Sequence, residues 1–158
     1  MKLVTSGDVF ILYLNKMYIQ SLDFNNKEVA EKYIKNVFLK LSHKYNFEVS
    51  GYYVAKIYVD TNYGIIIEVK KEELEYLDYF SNQIEMDTKV IEGPFLYEIT
   101  NLYYSLLDKF SLYKLQDKLY LLAKDDINDI EMGQLLEISK VIYGKRAREV
   151  LLKAKKVR

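Results

Sequence analysis

The chain has 158 residues, with 23 Lys and Arg balanced by 23 Asp and Glu, one His, one Pro and no Cys. Without Cys there are no thiol nucleophiles, disulfides or thiolate metal sites, and a single His excludes a multi-histidine metal centre. Zero net charge argues against a chain basic throughout, no run nears the roughly 20 apolar residues of a membrane span, and Met1–Asp8 has no secretory apolar core, so a cytoplasmic protein is expected.

Leu3–Thr5 and Val9–Leu14, on either side of Ser6-Gly7-Asp8, predict a short hairpin. Asn25 and Asn26 supply cap chemistry for a helix in which Val29, Tyr33, Ile34, Val37, Phe38 and Leu41 recur at three- and four-residue steps. The helix ends near Lys44–Asn46. From Phe47 the period changes to two: Phe47, Val49, Tyr53, Ala55, Ile57 and Val59 alternate with more polar residues, and Gly51 marks a bulge or kink. Thr61–Gly64 is a turn before the β-branched strand Ile65–Lys70. Leu74, Leu77 and Phe80 predict another helix within 71–82, followed by an acidic linker.

After Pro94, Phe95–Ile99 reads as a strand and Leu102–Phe110 as a short helix. Ser111–Leu115 and Lys118–Ala123 form a hairpin about Gln116-Asp117. Asn128 and Glu131 have the spacing of a capping box for a helix buried through Leu135, Ile138 and Ile142, with Gly144 as its C′ stop. Arg146–Leu152 is compatible with helix or strand. Phe10–Tyr13 with Lys16–Ile19 echoes Phe110–Tyr113 with Lys118–Leu121, which raises a duplication as one explanation.

The expected fold is therefore α+β, made of two small units, each an antiparallel sheet with helices packed on one face. Residues 1–80 form a ββαββ unit with an optional last helix, 81–92 a linker, and 93–158 a βαββαβ unit.

Little here reads as reaction chemistry. His43 follows Ser42 on a helix, where neighbours point about 100° apart and cannot form a nucleophile–base pair. Asp125–Glu131 lacks the central Gly and the spaced bidentate Glu of a calcium loop. The six glycines are isolated, so no phosphate loop is present. The chain is expected to be no enzyme and to bind neither cofactor nor metal. One charge asymmetry remains: Lys140–Arg158 holds eight basic residues and one acid, a pattern suited to phosphates, nucleic acid or an acidic protein surface, or to a solvated terminus.

In Phe47-Glu48-Val49-Ser50-Gly51, in Val54–Val59 and in Gly64–Lys70, the first unit resembles the MecA family of adaptor proteins. These adaptors deliver substrates to a Clp-type AAA+ unfoldase in low-GC Gram-positive bacteria. In the second unit the similar pieces are Phe95–Ile99, Ser111–Lys114, Lys118–Leu121 and the helix ending at Tyr143-Gly144. Departures accompany the likeness. The linker is shorter, Ile142-Tyr143 stands where the family has Glu-Tyr, and the basic Lys153–Arg158 replaces the family's later segment and terminal helix.

The resemblance implies a non-enzymatic adaptor in regulated proteolysis, with a client protein on the first unit and an AAA+ unfoldase on the second. The acid-to-base reversal implies an altered docking partner, with Tyr143, Lys145, Arg146 and Arg148 as partner-binding residues. The alternatives are a small nucleic-acid-binding regulator using the basic segment, which the remaining acidity disfavours, and a homo-oligomeric module such as a homodimer paired along a strand edge.

Overall fold

The computed structural model describes residues 2–6, 8–21, 23, 26–45, 51–72, 84–102 and 108–158. These give β1 (Lys2–Ser6), β2 (Val9–Asn15), α1 (Met17–Ser21), α2 (Lys27–Tyr45), β3 (Gly51–Asp60), β4 (Gly64–Glu72) and β5 (Ile84–Glu92). They continue with β6 (Leu96–Ile99), β7 (Phe110–Leu115), β8 (Lys118–Ala123), α3 (Asp129–Ile138), β9 (Ser139–Ile142), α4 (Gly144–Lys153) and β10 (Lys155–Lys156). The fold is α+β, in two compact units: Met1–Val59 with Gly64–Ile91, and Asp60–Tyr63 with Glu92–Arg158. Each holds one antiparallel-dominated five-stranded sheet.

In the first unit the strand order is β1-β2-β4-β3-β5. The hairpin β1–β2 forms as its alternation indicates, with Leu3 opposite Leu12. Asn26 caps α2, its Oδ1 accepting from the amides of Glu28 and Val29 at 3.1 and 3.4 Å. Ala30, Ile34, Val37, Phe38 and Leu41 of α2 lie in one core with Leu12, Leu14, Tyr53, Ala55, Ile57, Ile65, Ile67 and Val69. Phe38 sits at its centre, its ring 5.6 Å from Phe10 and 5.5 Å from Tyr53. Truncating such a ring typically costs about 3–5 kcal/mol. Gly64 opens β4 at φ +127, where an added Cβ would run into the backbone carbonyl of Leu14.

Three expectations change here. The stretch read as linker, 81–92, is largely β5, which closes the β3 edge and adds Met86 to the core. Its Met86-Thr88-Val90 alternation is the signal, hidden by the interleaved Glu85, Asp87 and Lys89. Lys16–Ile19, matched in sequence to strand Lys118–Leu121, instead leads into α1, whose Met17 amide is held by Asn15 Oδ1 at 3.1 Å. The duplication therefore has no counterpart at this position. The predicted helix within 71–82 begins on the last residues of β4 and otherwise falls outside the described residues, as do Asn25 and Phe47–Ser50.

The second unit has the order β10-β7-β8-β6-β9. The β7–β8 hairpin turns at Gln116, which takes φ 55. The capping box forms: Asn128 Oδ1 accepts from the Glu131 amide at 2.8 Å, and Glu131 Oε2 from the Asn128 amide at 3.1 Å. Part of the predicted helix Leu102–Phe110 lies outside the described residues, but Phe110 begins β7 instead, opposite Ala123.

The helix after Asn128 is shorter than its apolar spacing indicates. Ser139 turns extended and its hydroxyl donates to the Leu135 carbonyl at 2.6 Å, so Ile142 belongs to β9, opposite Leu96. The β-branched Val141 and Ile142 gain more from pairing with β6 than from one more helical turn. Gly144 does take a positive φ of 65, yet it opens α4 rather than ending the preceding helix. Arg146–Leu152 is helical.

Topology decides where the helices go. β8 and β9 are both antiparallel to β6, hence parallel to each other, and α3 joins them. β10 is parallel to β9 by the same count, and α4 joins those two across the whole sheet. Right-handed crossovers that travel in opposite directions put their helices on opposite faces. The side chains agree: Ala147 and Val150 of α4 share a core with Leu96, Tyr120 and Ile142. Tyr97, Ile99 and Leu121, an odd number of residues from these along the strands, are buried toward the other face. There α3 contributes Met132 and Leu135. Helices on one face thus describes the first unit, while the second carries one helix on each.

Candidate docking surface on the second unit

α4 is where the sequence-predicted residues meet. Ala147, Val150, Leu151 and Ala154 turn its apolar side to the sheet. At 100° per residue, Lys145, Arg148, Glu149 and Leu152 then fall on the outward side. Leu152 is 86 % exposed. Lys145 and Arg148 are exposed as well. Lys145 Nζ lies 4.0 Å from Glu149 on the same helix, with both side chains largely in water, an arrangement of little energetic weight.

Arg146 and Tyr143 behave differently. Arg146 leans toward the sheet, its Nη2 3.7 Å from Glu98 Oε2, while Lys118 Nζ is 3.3 Å from Glu98 Oε1. Glu98 also stands opposite Lys140 in the β6–β9 register. One shielded carboxylate therefore sits among three cations, and its Oε2 has no hydrogen-bond partner. Tyr143 is half-buried, with its ring 5.9 Å from Phe95, and Phe95 is 5.2 Å from Tyr63. The ring holds the corner between β9 and α4. Of the four residues named from sequence, Lys145 and Arg148 face outward together, Arg146 is engaged with Glu98, and Tyr143 anchors the helix start.

Leu152, Lys118 and Glu98 were not anticipated. Leu152 follows Lys145 by seven residues, so its outward position was readable once a helix was assumed. The Glu98 cluster depends on strand register, which single-strand patterns do not carry.

α4 starts with no acidic residue in its first turn and no side-chain cap, so the positive end of the helix reinforces Lys145 and Arg146. The opposite face of the unit is acidic. Asp125–Glu137 carries five acids and no base, of which Glu131 is bound by Lys109 Nζ at 2.9 Å.

Elsewhere, Ser42 Oγ donates to the Leu39 carbonyl at 2.8 Å, away from any pairing with His43. Among the described residues no three His, Cys, Asp or Glu side chains gather as a metal site would require. None of the described helices is long and apolar enough to cross a membrane. No family model, curated protein or solved structure matches this chain.

Proposed function

We propose that this chain is a non-enzymatic protein–protein adaptor that works in the cytoplasm in the manner of MecA-type proteins. On this reading the first unit holds a client and the second docks a Clp-like AAA+ unfoldase, or an equivalent partner, through an acidic surface. The observation that carries it is the outward side of α4, where exposed Lys145 and Arg148, with Glu149 beside Lys145, precede exposed Leu152 on a helix packed against a sheet. Interfaces are typically built this way, with an apolar anchor for affinity and charges for steering and partner choice.

The test is binding of an unfoldase N-terminal domain to the full chain and to Lys145→Glu/Arg148→Glu. Loss of about tenfold or more in affinity supports the docking row. Equal affinity for both chains removes it.

The basic run through Lys155, Lys156 and Arg158 favours a second reading, nucleic-acid binding. That reading requires retention of nucleic acid at low salt, with affinity falling steeply as salt is added.

A further inference from the structure

The second unit holds two outward helix rows of opposite character on opposite faces of one sheet. On α3, Met132 and Leu135 point inward, which leaves Ile130, Gly133, Gln134 and Glu137 outward. Ile130 is 75 % exposed. Gly133 has open space where a Cβ would stand. On α4 the corresponding row is Lys145, Arg148, Glu149 and Leu152, with Glu149 4.0 Å from Lys145.

The rows match in length and reversed order. Ile130 and Glu137 are seven residues apart, as are Lys145 and Leu152, so each row places an aliphatic group and a charge about 10.5 Å apart. Laid antiparallel, Ile130 meets Leu152 and Glu137 meets Lys145. Gly133 leaves room at the centre for the backbones to approach. The antiparallel arrangement also opposes the two helix dipoles favourably.

One copy cannot close this pairing on itself, because the sheet lies between the helices. We propose that the occupant of the α4 row is a second copy of this chain, docked head-to-tail through its α3 row. Such a contact is heterologous: each copy retains one unused row, so association proceeds beyond the dimer to rings or open chains. This reading does not rest on the adaptor proposal, although it claims the same α4 row.

Sedimentation of the full chain over a concentration series tests it. At low salt the average mass rises past that of a dimer, and about 0.5 M salt, which shortens screening to a few ångströms, returns it toward monomer. Glu137→Lys and Lys145→Glu each sediment as monomer alone, whereas their equimolar mixture associates again. That restoration also rules out misfolding as the cause of either loss. Because the chain has no Cys, Ile130→Cys mixed with Leu152→Cys should yield a disulfide-linked pair on oxidation. The proposal is overturned if the chain stays monomeric at every concentration, if either reversal associates like the parent, or if the mixture fails to recover.

Discussion

Thr88 points its side chain into the core of the first unit between Met86 and Val90, is 0 % exposed, and leaves its hydroxyl without a hydrogen-bond partner. A buried hydroxyl that makes no bond loses its hydration without compensation, typically at about 1–3 kcal/mol. Val has nearly the same shape and no such requirement. Thr88→Val should therefore stabilise the protein by about 1 kcal/mol, read as a higher urea midpoint with unchanged slope. Tyr97 presents a related case in the second unit. Its hydroxyl is buried and unpartnered; burial first, then the nearby Asp60 carboxylate and Tyr63, push its pKa far above the ordinary phenol range. The folded state keeps a proton that the unfolded chain releases near pH 10. Stability is therefore unaffected by the titration of this group below about pH 10 and falls as pH rises beyond it. Tyr97→Phe should flatten that alkaline decline, as measured by urea unfolding at pH 9 and pH 11, and should gain about 1 kcal/mol near neutrality for the same reason as Thr88→Val. An equally steep decline in the variant would remove Tyr97 as its source.

At the level of whole elements, α3 depends on its capping box because it is short and has only Met132 and Leu135 buried. Asn128→Ala leaves the Glu131 amide without its acceptor, while the Glu131 carboxylate keeps the residue-128 amide and Lys109. The expected cost is about 1 kcal/mol in thermal or urea unfolding, and Asn128→Ser should recover most of it. This cap was legible in sequence because it is local: two side chains three residues apart fix its geometry. The β1–β2 and β7–β8 hairpins and the α2 stripe were legible for the same reason. Where the reading failed, a distant partner decided. β5 is a strand because the β3 edge needs covering, despite its charged alternate residues. Ile142 leaves the helical stripe because β6 offers Leu96 opposite it. The docking row was half legible. Charge density singled out Lys145 and Arg148, but only the side of α4 that meets the sheet separates them from Arg146, which turns to Glu98.

For the whole molecule, zero net charge conceals a separation. Five acids and no base lie along Asp125–Glu137, and eight bases with one acid along Lys140–Arg158, with a sheet between their helices. No net repulsion keeps copies apart, while complementary faces draw them together. The α4 row then has two claimants, an acidic partner and the α3 row of another copy, and mass action sets their balance. If both proposals hold, the apparent affinity for an unfoldase N-terminal domain should weaken as the chain's own concentration rises through its association range. Glu137→Lys separates the two occupants, since it disrupts the competing row and leaves α4 intact. In that variant, partner affinity should be at least as tight as in the parent and independent of chain concentration, when measured by anisotropy of a labelled partner at fixed salt. Lys145→Glu should lose both interactions together. A parent affinity that stays constant across the concentration series would mean that the partner and the second copy do not share α4.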